Sequence, residues 1–187
     1  MADVALPDVL THYYDATCGP FRSLTALAPD EADRVQAQIH TREHAFASQR
    51  PPGYLAVRRE LEQRIRQLFV VQGGCPERTT PHYFIVGSCA WLLTWYEHAA
   101  SVSIPIAVFD PATVSLTYGD SFPAMRFQDG RPWRGQVYTL NDLPELVERF
   151  GLPQTWNPDG SRGPDRYIEA QVWSDTPLRA WGLLDHG

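Results

Sequence analysis

Tyr167-Ile168-Glu169-Ala170-Gln171-Val172-Trp173, residues 167–173, is the stretch on which the fold turns. It follows a loop rich in Pro, Asp and Gly (153–166) and carries the aromatic and β-branched residues of a strand. Side chains alternate across a strand, so Ile168, Ala170 and Val172 share one face. Tyr167, Glu169, Gln171 and Trp173 share the other. A carboxyl and an amide between aromatic rings suit the wall of a pocket better than a plain core. The plainer alternative puts Glu169 on a solvated face and treats the aromatic residues as core with satisfied polar tips.

Upstream, Pro29-Asp30-Glu31 opens a helix expected to run to about residue 48, with Ala32, Val35, Ile39 and Phe46 as its apolar stripe. A second helix carries Tyr54, Val57, Leu61, Ile65 and Leu68 on one face and stops at Gly73-Gly74. Glu60–Arg64 and Glu62–Arg66 are expected as i,i+4 pairs on its outer side. Strands are expected at 83–86, 102–109, 114–118 and 137–140. A short helix is expected over 90–97 and another from a cap at Asn141 to about Phe150, while 119–135 reads as a long loop. Helices first and strands later, without βαβ alternation, predict an α+β fold. It is read as a single domain over 1–187, with N-terminal helices packed on a mixed, mostly antiparallel sheet.

A chain of 187 residues, 43% hydrophobic and 20% charged, suits one domain with a real core. No apolar run approaches the ~20 residues of a membrane helix, so no membrane partner is expected. The N-terminus lacks the features of a signal peptide, which predicts a cytoplasmic location. Cys18, Cys75 and Cys89 are too few and scattered for a disulfide framework or zinc knuckle, and free thiols are expected. A net charge of −6 argues against non-specific nucleic-acid binding. Arg126, Arg131 and Arg134 nevertheless cluster as a candidate basic patch. All 16 basic residues are arginine, a preference expected of a G+C-rich bacterial genome.

His40-Thr41-Arg42-Glu43-His44 matches the inverted zinc-protease pattern H-x-x-E-H, in which His40 and His44 share a metal and Glu43 activates its water. Both histidines fall towards the solvated side of the expected helix, and no third ligand is singled out. A zinc hydrolase is therefore the third reading, and no metal is expected. Dinucleotide, Walker and G-x-S-x-G fingerprints are absent from the sequence.

Three polar-aromatic clusters remain: Thr11-His12-Tyr13-Tyr14-Asp15 with Gly19-Pro20-Phe21-Arg22, Ser115-Leu116-Thr117-Tyr118-Gly119-Asp120-Ser121-Phe122, and the strand 167–173 with Ser174-Asp175. With Pro81-His82-Tyr83-Phe84 they resemble an uncharacterised bacterial family of about this length, over nearly the whole chain. More distantly, their order resembles DarT-type ADP-ribosyltransferases. That resemblance implies NAD as a substrate, with His12 at the nicotinamide ribose, Tyr13 and Trp173 lining the same cleft, and Ser115 to Tyr118 as an inner strand. Glu169 would stabilise an oxocarbenium-like transition state, with Gln171 beside it. The order Glu-Ala-Gln departs from the family's Gln-x-Glu, so direct alignment puts Gln171 where the catalytic carboxylate belongs. The sequence thus supports a leading reading, an ADP-ribosyltransferase-like enzyme acting on an unknown acceptor, and an alternative, a non-catalytic binding or interaction protein for which a small nucleotide-like ligand is one option.

Overall fold

Among the described residues six strands form one antiparallel sheet: β1 (Val9–Asp15), β2 (His82–Val86), β3 (Ala99–Pro105), β4 (Val114–Tyr118), β5 (Tyr138–Thr139) and β6 (Ile168–Val172). Their order is β3-β1-β2-β6-β4-β5, and every pairing is antiparallel. With helices α1 (Pro29–His40), α2 (Tyr54–Val71), α3 (Ser121–Arg126), α4 (Leu143–Phe150), α5 (Pro153–Trp156) and α6 (Thr176–Ala180) they make an α+β fold. The computed structural model describes residues 5–41, 51 and 53–184. Phe46, Arg42, Glu43, His44 and the His40 side chain lie outside the described residues, and with them the expected zinc motif.

The last strand, β6, sits in the middle of the sheet, between β2 and β4. Its alternation is realised on both sides. Ile168, Ala170 and Val172 are fully buried with Leu10, Phe84, Val86, Val114 and Leu116, under Leu143, Leu146 and Val147 of α4. On the opposite face α2 brings Leu61, Ile65 and Phe69 against Trp173, Met125 and Val137. Burial of large apolar side chains at ~1.5–3 kcal/mol each makes these two layers the main source of stability.

Several expectations are corrected. The described chain opens on a strand and not on helices: β1 pairs with β3 along its whole length and with β2 at Leu10 and Thr11. Within 119–135 lies α3, whose first turn tolerates Pro123 because that position lacks a helical acceptor for its N–H. Asp120 caps it, its Oδ1 accepting from the Phe122 N–H at 2.7 Å. Thr139 and Asp142, in place of Asn141, form the capping box ahead of α4.

The arginine patch is also dissolved. Asp165, fully buried, accepts from Arg131 at 2.8 Å and from Arg134 at 2.7 and 2.9 Å, and Asp129 holds Arg134 from the other side. Those two guanidiniums pin the 127–135 segment to the loop before β6. The strand turn at Gly119 belongs to the same clamp. Its φ is +95°, and a Cβ there would lie 2.4 Å from Asp165 Oδ1.

All three cysteines are free, Cys18 and Cys75 exposed and Cys89 half-buried. Among the described residues no helix is long and apolar enough to cross a membrane.

Candidate functional site

Glu169 and Gln171 project from β6 towards α2, but the strand wall they share is closed. Gln171 is fully buried and uses its whole amide. Its Nε2 donates to Thr117 Oγ1 (3.0 Å) and Glu169 Oε1 (3.1 Å), and its Oε1 accepts from Ser115 Oγ (2.8 Å). Ser115 in turn accepts from Trp173 Nε1 at 2.9 Å. The cross-strand pairs Ser115–Gln171 and Thr117–Glu169 put these groups side by side. Ser115, Gln171 and Trp173 are therefore a satisfied core network and not a ligand-facing surface.

Glu169 stands at the end of that network, only 5% exposed. The solvated carboxylate of the plainer reading is excluded by its burial. Arg58 from α2 lies 3.8 Å from its Oε1 and 3.7 Å from the Oε1 of Glu62. Glu62, expected on the outer side of α2, is 2% exposed. It accepts from Thr25 at 2.8 Å and from the Tyr83 hydroxyl at 2.6 Å. Its expected partner Arg66 instead donates to the carbonyls of Pro76 and Arg78. The Arg58 guanidinium also stacks over the Tyr83 ring, 4.3 Å from its centroid.

The electrostatics follow from this crowding. Burial pushes the Glu169 carboxyl up to about 7, Asp120 nearby adds to the rise, and Arg58, Ser121 and Gln171 oppose it. The Ser121 hydroxyl is close enough to favour the charged form, yet it closes no hydrogen bond among the described residues. Burial likewise raises Glu62, against the Tyr83 bond and Arg58. Tyr83 and Tyr167 are held well above the usual phenol range, first by burial and then by carboxyl neighbours, so both keep their protons and donate. Tyr167 gives its proton to Asp120 Oδ2 at 2.9 Å.

Asp120 and Tyr167 form the floor of a cleft of about 660 Å³. Two aromatic pairs wall it: Trp91 with Trp95, edge to face at 5.1 Å, and Tyr54 with Phe122, stacked at 5.4 Å. Each carries a cation on a ring. Arg166 lies 4.2 Å from the Trp91 centroid and Arg126 lies 4.5 Å from that of Phe122. Neither has a carboxylate at ion-pair distance among the described residues; Arg166 donates to the Pro158 carbonyl and stabilises the more distant Asp159, which also lines the cleft, while its buried Nε has no acceptor there. A second depression of about 640 Å³ runs between β5 and α4, but none of the Glu169 cluster lines it.

The other expected site residues fall elsewhere. His12 lies on the apolar face of the sheet, opposite Glu169. Its Nδ1 donates to the Tyr83 carbonyl (2.7 Å) and its Nε2 accepts from the Phe21 N–H (3.0 Å), which sets the neutral tautomer. Burial lowers its pKa to about 4, and Phe21, at φ +59°, stacks on it at 4.4 Å. Tyr118 shares the apolar face, its hydroxyl donating towards the carbonyls of Phe150 and Gly151. Tyr13 does share Glu169's face, but its hydroxyl is taken by the Cys89 N–H at 2.9 Å and it packs behind Trp91 and Trp95.

Sequence reading missed Arg58, Glu62, Trp91, Trp95 and Arg166. The one available signal was Arg58-Arg59-Glu60-Leu61-Glu62, where charged residues sit at the helical spacing of Leu55 and Leu61. Comparison with protein-family models, curated proteins and solved structures finds no match for the chain.

Proposed function

We propose that this protein binds a planar, anionic small molecule of the nucleotide class in the aromatic cleft, without chemical turnover. The observation that carries the reading is a pair of guanidiniums, Arg126 and Arg166, laid on the cleft's aromatic walls with no carboxylate at ion-pair distance among the described residues. Aromatic faces take a base or another flat ring, and guanidiniums take phosphate in bidentate fashion. The volume is in the range of small-ligand sites.

The transferase reading of the same chain has less support. It requires a fully ionised Glu169 within reach of the ligand, whereas this carboxyl is buried, pushed up to about 7 and held by Gln171. It also requires His12 beside that carboxyl, and the two lie on opposite faces of the sheet.

Titration with ADP-ribose, AMP and NAD, read by tryptophan fluorescence and thermal shift, tests the proposal, because two tryptophans line the cleft. Saturable quenching is expected, weakened at least ten-fold by Arg166→Gln, since a charge-assisted hydrogen bond contributes about 1.5–3 kcal/mol. Absence of any response at millimolar ligand overturns the reading. Release of nicotinamide from NAD, abolished by Glu169→Gln, would replace it with the transferase.

A further inference from the structure

Beneath the cleft floor, three carboxyls converge on one guanidinium. Glu62, Glu169 and Asp120 come from α2, β6 and the cap of α3. Among the described residues only Arg58 stands at ion-pair distance, 3.7 Å from Glu62 and 3.8 Å from Glu169. Arg59, half-buried and bonded to the Leu27 carbonyl, adds an attraction felt by Glu62. The other groups facing Glu169 are neutral: Tyr83 from β2, Ser121 from α3, and Tyr167 and Gln171 from β6. Three ionised carboxyls around Arg58 leave two uncompensated negative charges in a dry interior, a cost that raises the proton affinity of one of them. Glu169 is the carboxyl with the poorest compensation, so it is the one poised to take up a proton. Glu62 takes two hydroxyl hydrogen bonds, and Asp120 takes a backbone N–H and a phenol at the cleft surface.

We propose that occupation of the cleft by an anionic ligand is coupled to uptake of one proton from solvent onto the Glu169 carboxylate. This rests on the binding reading above. The physical reason is charge: a phosphate arriving over Asp120 adds negative potential at Glu169, one layer below, and so favours its protonated form. The reciprocal effect is that protonating Glu169 tightens ligand binding. Affinity therefore falls as pH rises through the titration of Glu169 in the free protein, which lies near 7.

The experiment is calorimetric titration of the whole chain with ADP-ribose, whose pyrophosphate does not itself titrate near neutrality, at pH 6 and pH 8. A ligand that binds only the protonated form loses about ten-fold in affinity between those values, for a group titrating at 7. At pH 8 about 0.9 of a proton is taken up, read as a dependence of the heat on buffer ionisation enthalpy. Glu169→Gln, neutral at both values and nearly isosteric, is expected to bind with the same affinity at pH 6 and 8 and to take up no proton. Parallel pH profiles for the two proteins overturn the proposal while leaving the binding site intact. Failure of both proteins to bind at either pH overturns the site itself. A ligand-free carboxyl titration of Glu169 by carbon-13 NMR decides the cluster separately: a midpoint near 7 supports it, and one in the ordinary glutamate range near 4.3 removes it.

Discussion

Replacing Arg58 with methionine removes the only cation among the described residues at ion-pair distance from Glu62 and Glu169 while keeping an apolar stem of similar length over Tyr83. At 3.7 and 3.8 Å, and with an effective dielectric of about 20, each attraction is worth roughly 4–5 kcal/mol before desolvation. The methionine no longer desolvates a guanidinium, which returns part of that. What remains is the cost of leaving buried carboxyls without a partner, about 3 kcal/mol, at the lower end for a broken buried pair because both contacts are long. The loss must also depend on pH. Burial already raises the pKa of Glu62 and Glu169, and without Arg58 both rise further. An acid whose pKa is raised by folding binds more protons folded than unfolded, so stability falls as pH rises through that window. Urea unfolding followed by tryptophan fluorescence is therefore expected to show a loss about 1 kcal/mol or more larger at pH 8 than at pH 5.5. Equal losses at the two values, or a total below about 1 kcal/mol at pH 8, would refute a charge cluster held by Arg58.

Two further outcomes are expected. Gly119→Ala meets both a left-handed backbone and the Asp165 carboxyl at 2.4 Å, and should cost about 2–4 kcal/mol by urea unfolding. Gly130→Ala, at φ +76° with open space around it, should cost about 1 kcal/mol, and equal losses would remove the steric argument. His12 should titrate by proton NMR at about 4, with its folded pKa below the unfolded 6.5. Unfolded chains then bind the extra proton first, so this residue alone withdraws about 3 kcal/mol as pH falls from 6.5 through 4. A midpoint near 6.5 would mean that the ring is not held as the neutral acceptor of the Phe21 N–H.

What could be read in the sequence was what periodicity encodes. The alternation at 167–173 and the 114–118 strand form where expected, and of the α2 stripe Leu61 and Ile65 are buried while Val57 and Leu68 pack partly against the same core. β1 was hidden because His12 and Tyr14 occupy core-side positions that a simple alternation would fill with aliphatics. α3 was hidden by Gly119 and Pro123, which punctuate loops in general but here make a cap-side turn and a first helical turn. Glu62 was misplaced for a different reason. A carboxyl three residues from an apolar position looks solvated until Thr25 and Tyr83, distant in sequence, supply its donors. The cleft was illegible because its walls come from residues 54, 91–95, 122–126 and 166, which only the tertiary fold brings together.

The unlikeness of the two faces of β6 has a consequence for how the chain finds its pairing. A shift of one residue against β2 and β4 would turn Glu169 and Gln171 into the aliphatic layer under α4 and send Ile168, Ala170 and Val172 towards Arg58. A misaligned central strand would carry an unsatisfied carboxyl and amide, each costing several kcal/mol, on top of the lost apolar burial. The polar seam thus proofreads strand assembly, penalising the nearest wrong alignment far more than a uniformly greasy sheet could.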